Sequence, residues 1–210
     1  MVEPEIRTAT LGEAEALAAV YQSAYRENRW LGFPAKAGHA TADTVTDWIR
    51  DDRVFVATVN RADKGNAVAV GTDTDTDPDT DTDPDTDTDP DTDTDPDTDT
   101  DPDTDTDPDT DTDTGELVGG VRLEATDHDR VKLSRLGVHE DWKGNGIGTA
   151  LVEHAEAWAR DAGHAVVWLT TPADHPYLPD IYRRRGYERT GEYPLEYRNY
   201  DEIVMEKLLR

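Results

Sequence analysis

Between Val138 and Ala150 the chain reads Val-His-Glu-Asp-Trp-Lys-Gly-Asn-Gly-Ile-Gly-Thr-Ala, and the glycines at 144, 146 and 148 set its chemistry. Alternating and without Cβ atoms, they let neighbouring backbone N–H groups turn into one concavity. A strand-like run, VKLSRLGV, leads into the turn. Helical periodicity follows from Gly146 to Arg160, with apolar residues at 147, 150, 151, 155 and 158. The helix therefore starts inside the turn, where free N–H groups and the positive end of the helix dipole favour a phosphate-bearing ligand. Lys143 adds a cation at the rim. A dinucleotide fingerprint fails because Thr149 stands where its last glycine belongs, and a Walker A loop fails for want of G-K-[ST]. The bland alternative is a glycine-rich helix start that binds nothing.

The elements that must position this loop follow from periodicity. Ile6–Thr8 reads as a first strand, and Leu11–Tyr25 as an amphipathic helix with Thr10 available as N-cap. An aromatic loop, Trp30-Leu31-Gly32-Phe33-Pro34, comes next, and Ala42–Arg50 suits a second helix. Arg53–Asn60, Glu116–Leu123 and Val131–Val138 read as strands, and Ala165–Leu169 as a strand buried on both faces. A short helix over Pro179–Arg185 ends at Gly186, before two last strands near 187–193 and 203–208. The order βααβββαβαββ predicts an α/β fold of the α+β type, with a mixed, mostly antiparallel sheet flanked by helices.

From Thr72 to Thr114 the chain holds only Asp, Thr and Pro, with 21 Asp at the odd positions. These account for most of the formal net charge of −27 and leave −6 elsewhere. Dense like charge and repeated Pro give nothing to bury, so the tract reads as a disordered, solvated insertion. A hairpin of 53–60 with 116–123 would carry it as an enlarged tip, inside a single domain over residues 1–210. Calcium binding of the EF-hand kind is disfavoured, because Pro occupies the sixth position and no Glu occurs. No metal is expected.

The stretch Lys143-Gly144-Asn145-Gly146-Ile147-Gly148 resembles the acetyl-CoA loop of the GNAT superfamily of N-acetyltransferases, [RQ]-x-x-G-x-[GA], with Lys for the usual Arg or Gln. The surroundings match too. "IYRRRGYERTGEY" is similar to the family's Tyr-x-x-x-Gly-[FY] signature, and "DEIVMEKLL" to its last strand. The resemblance spans nearly all of the chain outside the Asp-Thr tract. It implies a GNAT-like fold and acetyl transfer from acetyl-CoA to a primary amine. Backbone groups of Leu136 and Val138, on a strand bulged near Gly137, would bond the pantetheine arm. The N–H groups from Lys143 through Gly148 (Gly144, Asn145 and Gly146 among them), with Thr149, would hold the diphosphate. The arm would lie where the strands ending near Val138 and Leu169 splay apart.

The resemblance gives Tyr182 the role of the acid that protonates the departing thiolate, a task suited to a phenol with pKa near 10. With no cysteine in the chain, an acyl-enzyme on sulfur is excluded, and direct attack in a ternary complex is the simplest route. Relatives often carry a Glu early in the central strand, where this chain has Lys132. Glu124 is therefore the candidate base, with His139 and His175 as further possibilities. The acceptor pocket would be walled by Trp30–Pro34 and Tyr193–Tyr200. A catalytically weak acyl-CoA sensor is the alternative reading.

The acidic balance argues against nucleic acid and anionic membranes as partners. Five Lys against sixteen Arg, in an acid-rich chain, suit a halophilic, high-salt cytoplasm. The stretch MVEPEIRTAT has no basic region followed by an apolar run, and no apolar stretch reaches the roughly 20 residues a membrane span needs. A cytoplasmic monomer or homodimer acting on a small-molecule or peptide amine is expected.

Overall fold

The computed structural model describes residues 2–60 and 115–209. Seven strands form one sheet: β1 (Glu5–Thr8), β2 (Arg53–Val59), β3 (Glu116–Asp127), β4 (Arg130–Val138), β5 (Val166–Pro172), β6 (Glu188–Tyr193) and β7 (Glu202–Leu208). Their spatial order is β1-β2-β3-β4-β5-β7-β6. All neighbours run antiparallel except β4 and β5. β2 and β3 pair from Arg53↔Leu123 to Val59↔Glu116, as the alternating runs flanking the Asp-Thr tract predict. The tract itself lies outside the described residues.

Helices cover both faces. On one, α1 (Ala14–Ala24) and α3 (Ala42–Asp51) pack Leu17, Val20, Tyr21 and Val45 against Val54 and Val56. On the other, α4 (Ile147–Asp161) sets Ile147, Leu151, Ala155 and Ala159, spaced by four, onto Phe55, Val121, Leu133 and Leu169. The strand buried on both faces is thus β2. The expectation that Ala165–Leu169 would be so buried is corrected: in β5, Val167 and Leu169 are buried while Val166 and Trp168 face partly outward.

Two further local expectations change. Thr10 is the N-cap, as expected, but of a 3-10 turn, Leu11–Glu13, that precedes α1, where the Glu13 carboxylate accepts from the Thr10 N–H at 2.8 Å and from Arg7 at 2.6 Å. A short helix, α2 (Arg26–Trp30), precedes the aromatic loop and includes its first residue. It buries no residue and so leaves no apolar period in the sequence. Its charged side chains meet the turn after β4, Arg26 at 2.5 Å from Glu140 and Glu27 at 2.9 Å from Lys143.

The bulge expected near Gly137 is present, just before it, and Gly137 itself has a second purpose. β3 and β4 lose register between Gly120↔Gly137 and Arg122↔Ser134, so the extra residue falls at 135–136. Arg135 takes the left-handed conformation there, at φ 53°. Gly137 also makes room for α1: a Cβ on it would stand 2.9 Å from Tyr21 Cδ1 and 3.1 Å from Ala24 Cβ. Replacing Gly137 by Val should overpack this seam and cost about 1–3 kcal/mol. A lower denaturant midpoint with an unchanged slope would register that cost.

Candidate active site

β4 and β5 pair only over Arg130–Lys132 with Val166–Trp168, then part. Beyond Lys132 the β5-facing edge of β4 has no strand partner among the described residues, so backbone N–H and C=O groups border open space. A cleft of about 680 Å³ fills the gap, reached by Leu136 and Val138 of β4, Leu169 and Thr170 of β5, and Tyr182.

The glycine turn closes one end. Gly144 and Gly146 sit at φ +80° and +86°, where L side chains are strained, and a Cβ on either would meet nothing within 4 Å. Backbone conformation is therefore what requires glycine here, and the space above the turn stays open. Gly146 is the N-cap of α4 and supplies no side-chain cap. Among the described residues, no hydrogen bond uses the N–H groups of 144–149. The N–H of Lys143 is already engaged, donating to Glu140 O at 3.3 Å, so the row of free amides begins one residue later than expected. Asn145 Nδ2 donates to the carbonyls of Trp142 and Lys143 at 3.2 and 3.3 Å, tying the turn to itself over the buried Trp142 ring.

The Lys143 ammonium lies 2.9 Å from Glu27 Oε2, and its hydrogen bond is the main reason the Glu27 carboxyl stays below its usual range. Both side chains are more than a third exposed, so the pair is weak and a diphosphate can take over the cation. Arg185 donates to Thr149 Oγ1 and lines the cleft beside the turn. Sequence reasoning missed Arg185. The signal was the Arg183–Arg185 run before Gly186, in which Arg183 pairs with Asp180 and Arg185 turns to the loop.

Further along, α5 (Leu178–Arg184) carries Tyr182 into the cleft. The Tyr182 side chain is buried, and loss of hydration pushes its phenol up to about 12, with Arg185 opposing the shift. Its ring meets that of Tyr187 edge-on at 5.7 Å. Among the described residues its hydroxyl makes no hydrogen bond, so it remains available to a ligand. Tyr25 stands opposite, its hydroxyl donating to Leu136 O at 2.9 Å and its acidity suppressed first by burial, then by Tyr182. Tyr25 read as the end of an apolar helix face, which hid its place in the cleft.

The acid candidates separate. Glu124 lines the cleft, with Arg122 Nη1 at 3.6 Å. Glu202 of β7 lines it too and was not foreseen, because it reads simply as a strand start. His139 and His175 are not among the lining residues. His175 Nδ1 accepts from Leu178 N at 3.3 Å, and the buried ring packs on Phe33 and Tyr177 at 5.1 and 4.5 Å. It fixes the start of the helix that carries Tyr182. Phe33, Tyr193, Tyr197 and Tyr200 do line the acceptor end, with the Tyr200 hydroxyl donating to Pro34 O at 2.8 Å. Among the described residues no group of three or more His, Asp or Glu could hold a metal ion, and no helix is long and apolar enough to cross a membrane.

Buried phenols give a testable pH limit. Tyr182 ionises near 10 in the unfolded chain and near 12 in the fold, so the unfolded state loses its proton first. Its contribution to stability is complete below pH 10 and falls as pH rises between those values. Tyr21, Tyr25 and Tyr187 are shifted upward in the same way. Denaturant midpoints should hold steady up to about pH 9.5 and decline above pH 10.

Comparison with known proteins follows the same lines. The family model described as Acetyltransferase (GNAT) family matches residues 73–187. Solved structures align along nearly whole chains. Ard1 from Thermoplasma volcanium aligns at TM-score 0.63 and 14% identity, over 100% of this chain and 99% of that one. The PaiA N-acetyltransferase from Thermoplasma acidophilum, in complex with coenzyme A, aligns at 0.61 and 13%, over 98% and 99%. A GNAT-family acetyltransferase from Streptococcus pneumoniae aligns at 0.61 and 15%, over 99% and 100%.

Proposed function

The chain belongs to the GNAT family of acetyltransferases, and on that premise we propose that it moves the acetyl group of acetyl-CoA to a primary amine by direct attack in a ternary complex. The observation that carries this reading is the row of unpaired amides at 144–149, at the mouth of α4 and continuous with the cleft between β4 and β5. Those amides, with the Lys143 and Arg185 cations, suit a diphosphate. The unpaired edge of β4 at Leu136 and Val138 suits the amide-bearing arm, which would add to the sheet like a strand. The Leu136 carbonyl already accepts from Tyr25 and keeps a second lone pair. The thioester end would then lie toward Tyr182.

The acceptor nitrogen enters as an ammonium and gives one proton to Glu124. It forms a C–N bond to the thioester carbonyl carbon while the C–S bond breaks. Tyr182 protonates the sulfur and is restored by the second proton the nitrogen sheds. Glu124 releases its proton to solvent, so ammonium and thioester become amide, thiol and one proton. A buried phenol whose pKa is raised to about 12 stays protonated at neutral pH, so Tyr182 is in its acid form when the thiolate leaves.

The test is calorimetry with acetyl-CoA, CoA and NAD at high salt, followed by a thiol-release screen against amines. Tight CoA binding, no NAD binding and amine-dependent thiol release are expected. NAD binding in preference to CoA would overturn the choice of ligand.

A further inference from the structure

At the acceptor end of the cleft, Lys132 and Glu124 stand directly opposite each other in the β3–β4 register. Opposed residues of an antiparallel pair share a face, with Cβ atoms about 5 Å apart, and opposite charges there ordinarily close into an ion pair. Here they do not. Among the described residues Lys132 makes no ion pair. Its ammonium lies 4.9 Å from the Trp168 ring centroid and 6.0 Å from that of Tyr193, held by the two aromatic faces. Trp168 is itself fixed, its indole N–H donating to Thr126 Oγ1 at 3.1 Å. Among the described residues the ion partner of Glu124 is Arg122, at 3.6 Å, and that guanidinium is committed through Nε and Nη2 to Asp52 at 2.8 and 2.5 Å. Both Lys132 and Glu124 line the cleft. The floor of the acceptor end therefore presents one cation and one anion side by side, neither satisfied by the other.

Such a surface complements a molecule that carries a carboxylate next to its amine. Resting on the acetyl-transfer reading above, we propose that the acceptor is a free α-amino acid whose carboxylate is received by Lys132 while its ammonium faces Glu124. The geometry suits the reaction, because the carboxylate contact would hold the nitrogen beside the group that deprotonates it. A plain amine, or a peptide whose α-carboxyl is tied up in an amide, would leave Lys132 facing an uncharged group. The aromatic residues around this end, Phe33 and Tyr193 among them, favour an apolar or aromatic side chain on that amino acid.

The experiment measures thiol release from acetyl-CoA with a panel of the common α-amino acids, each beside its C-terminal amide and its decarboxylated amine. The readout is the ratio of kcat/KM for an amino acid to that for its own amide, taken within one preparation, so that any loss of folded protein cancels. The wild-type ratio should be about tenfold or more for the best substrate. It should fall to near one in Lys132→Met and return in Lys132→Arg. Amides or plain amines acetylated as well as the free amino acids, or a ratio untouched by Lys132→Met, would overturn the proposal and leave acetyl transfer standing. Binding of acetyl-CoA with no amine acetylated from any class would overturn both.

Discussion

Tyr182→Phe should lower kcat by about 100-fold or more while leaving acetyl-CoA affinity nearly unchanged. Phenylalanine keeps the ring that packs edge-on against Tyr187 at 5.7 Å, and the lost hydroxyl makes no hydrogen bond among the described residues. The fold therefore gives up little, and the change falls on the proton delivered to the leaving thiolate. A thiolate expelled without an acid must leave as a charge into a cleft that already disfavours ionised phenols. Steady-state thiol release together with calorimetry separates the effects. Equal losses in kcat and kcat/KM with intact binding fit an acid that acts only in the transition state. A protein that merely senses acyl-CoA would bind as before and have no turnover to lose.

Lys207→Met should give the largest loss of stability. The buried Glu156 carboxylate accepts from Tyr187 Oη at 3.0 Å and from Lys207 Nζ at 2.6 Å, bridging α4 to β7. Removing the ammonium leaves a carboxylate in the interior with one neutral donor. Breaking a buried pair from one side costs about 3–5 kcal/mol. Lys207 retains a quarter of its side-chain exposure, so about 2–3 kcal/mol is expected here. Thermal unfolding should shift down by roughly 5–10 °C. The same triad holds Tyr187 against Tyr182, so kcat should fall as well, by less than in Tyr182→Phe. The double variant Glu156→Gln, Lys207→Met should recover part of the stability, because no stranded charge remains.

Strong periodicity made most of the scaffold legible. The four-residue spacing of Ile147, Leu151 and Ala155 marked α4, and the β-branched run at 53–59 marked β2. The glycine turn could be read because positive φ and a side-chain-free helix mouth leave few alternatives to glycine. What stayed hidden depends on tertiary partners. α2 pairs its charges with the loop it faces, and in β5 the Trp168 ring is met by the charged ends of Lys132 and Arg130 rather than by apolar packing. Gly137 was read as easing a bulge, which lies just before it; that it also seats Tyr21 is visible only once α1 is in place. At the site, Tyr182 was legible from a signature, whereas Arg185, Tyr25 and Glu202 join the cleft through turns and pairings that leave no local pattern. Lys132 was noted only as a departure, and its place over Trp168 and opposite Glu124 comes from tertiary pairing.

The most direct test of the whole account is a crystal structure with acetyl-CoA bound. The diphosphate oxygens should lie about 3 Å from the amide nitrogens between Gly144 and Thr149, with the arm along β4 and the sulfur beside the Tyr182 hydroxyl. A nucleotide tail bound elsewhere, with the glycine turn bare and β4 unextended, would contradict it.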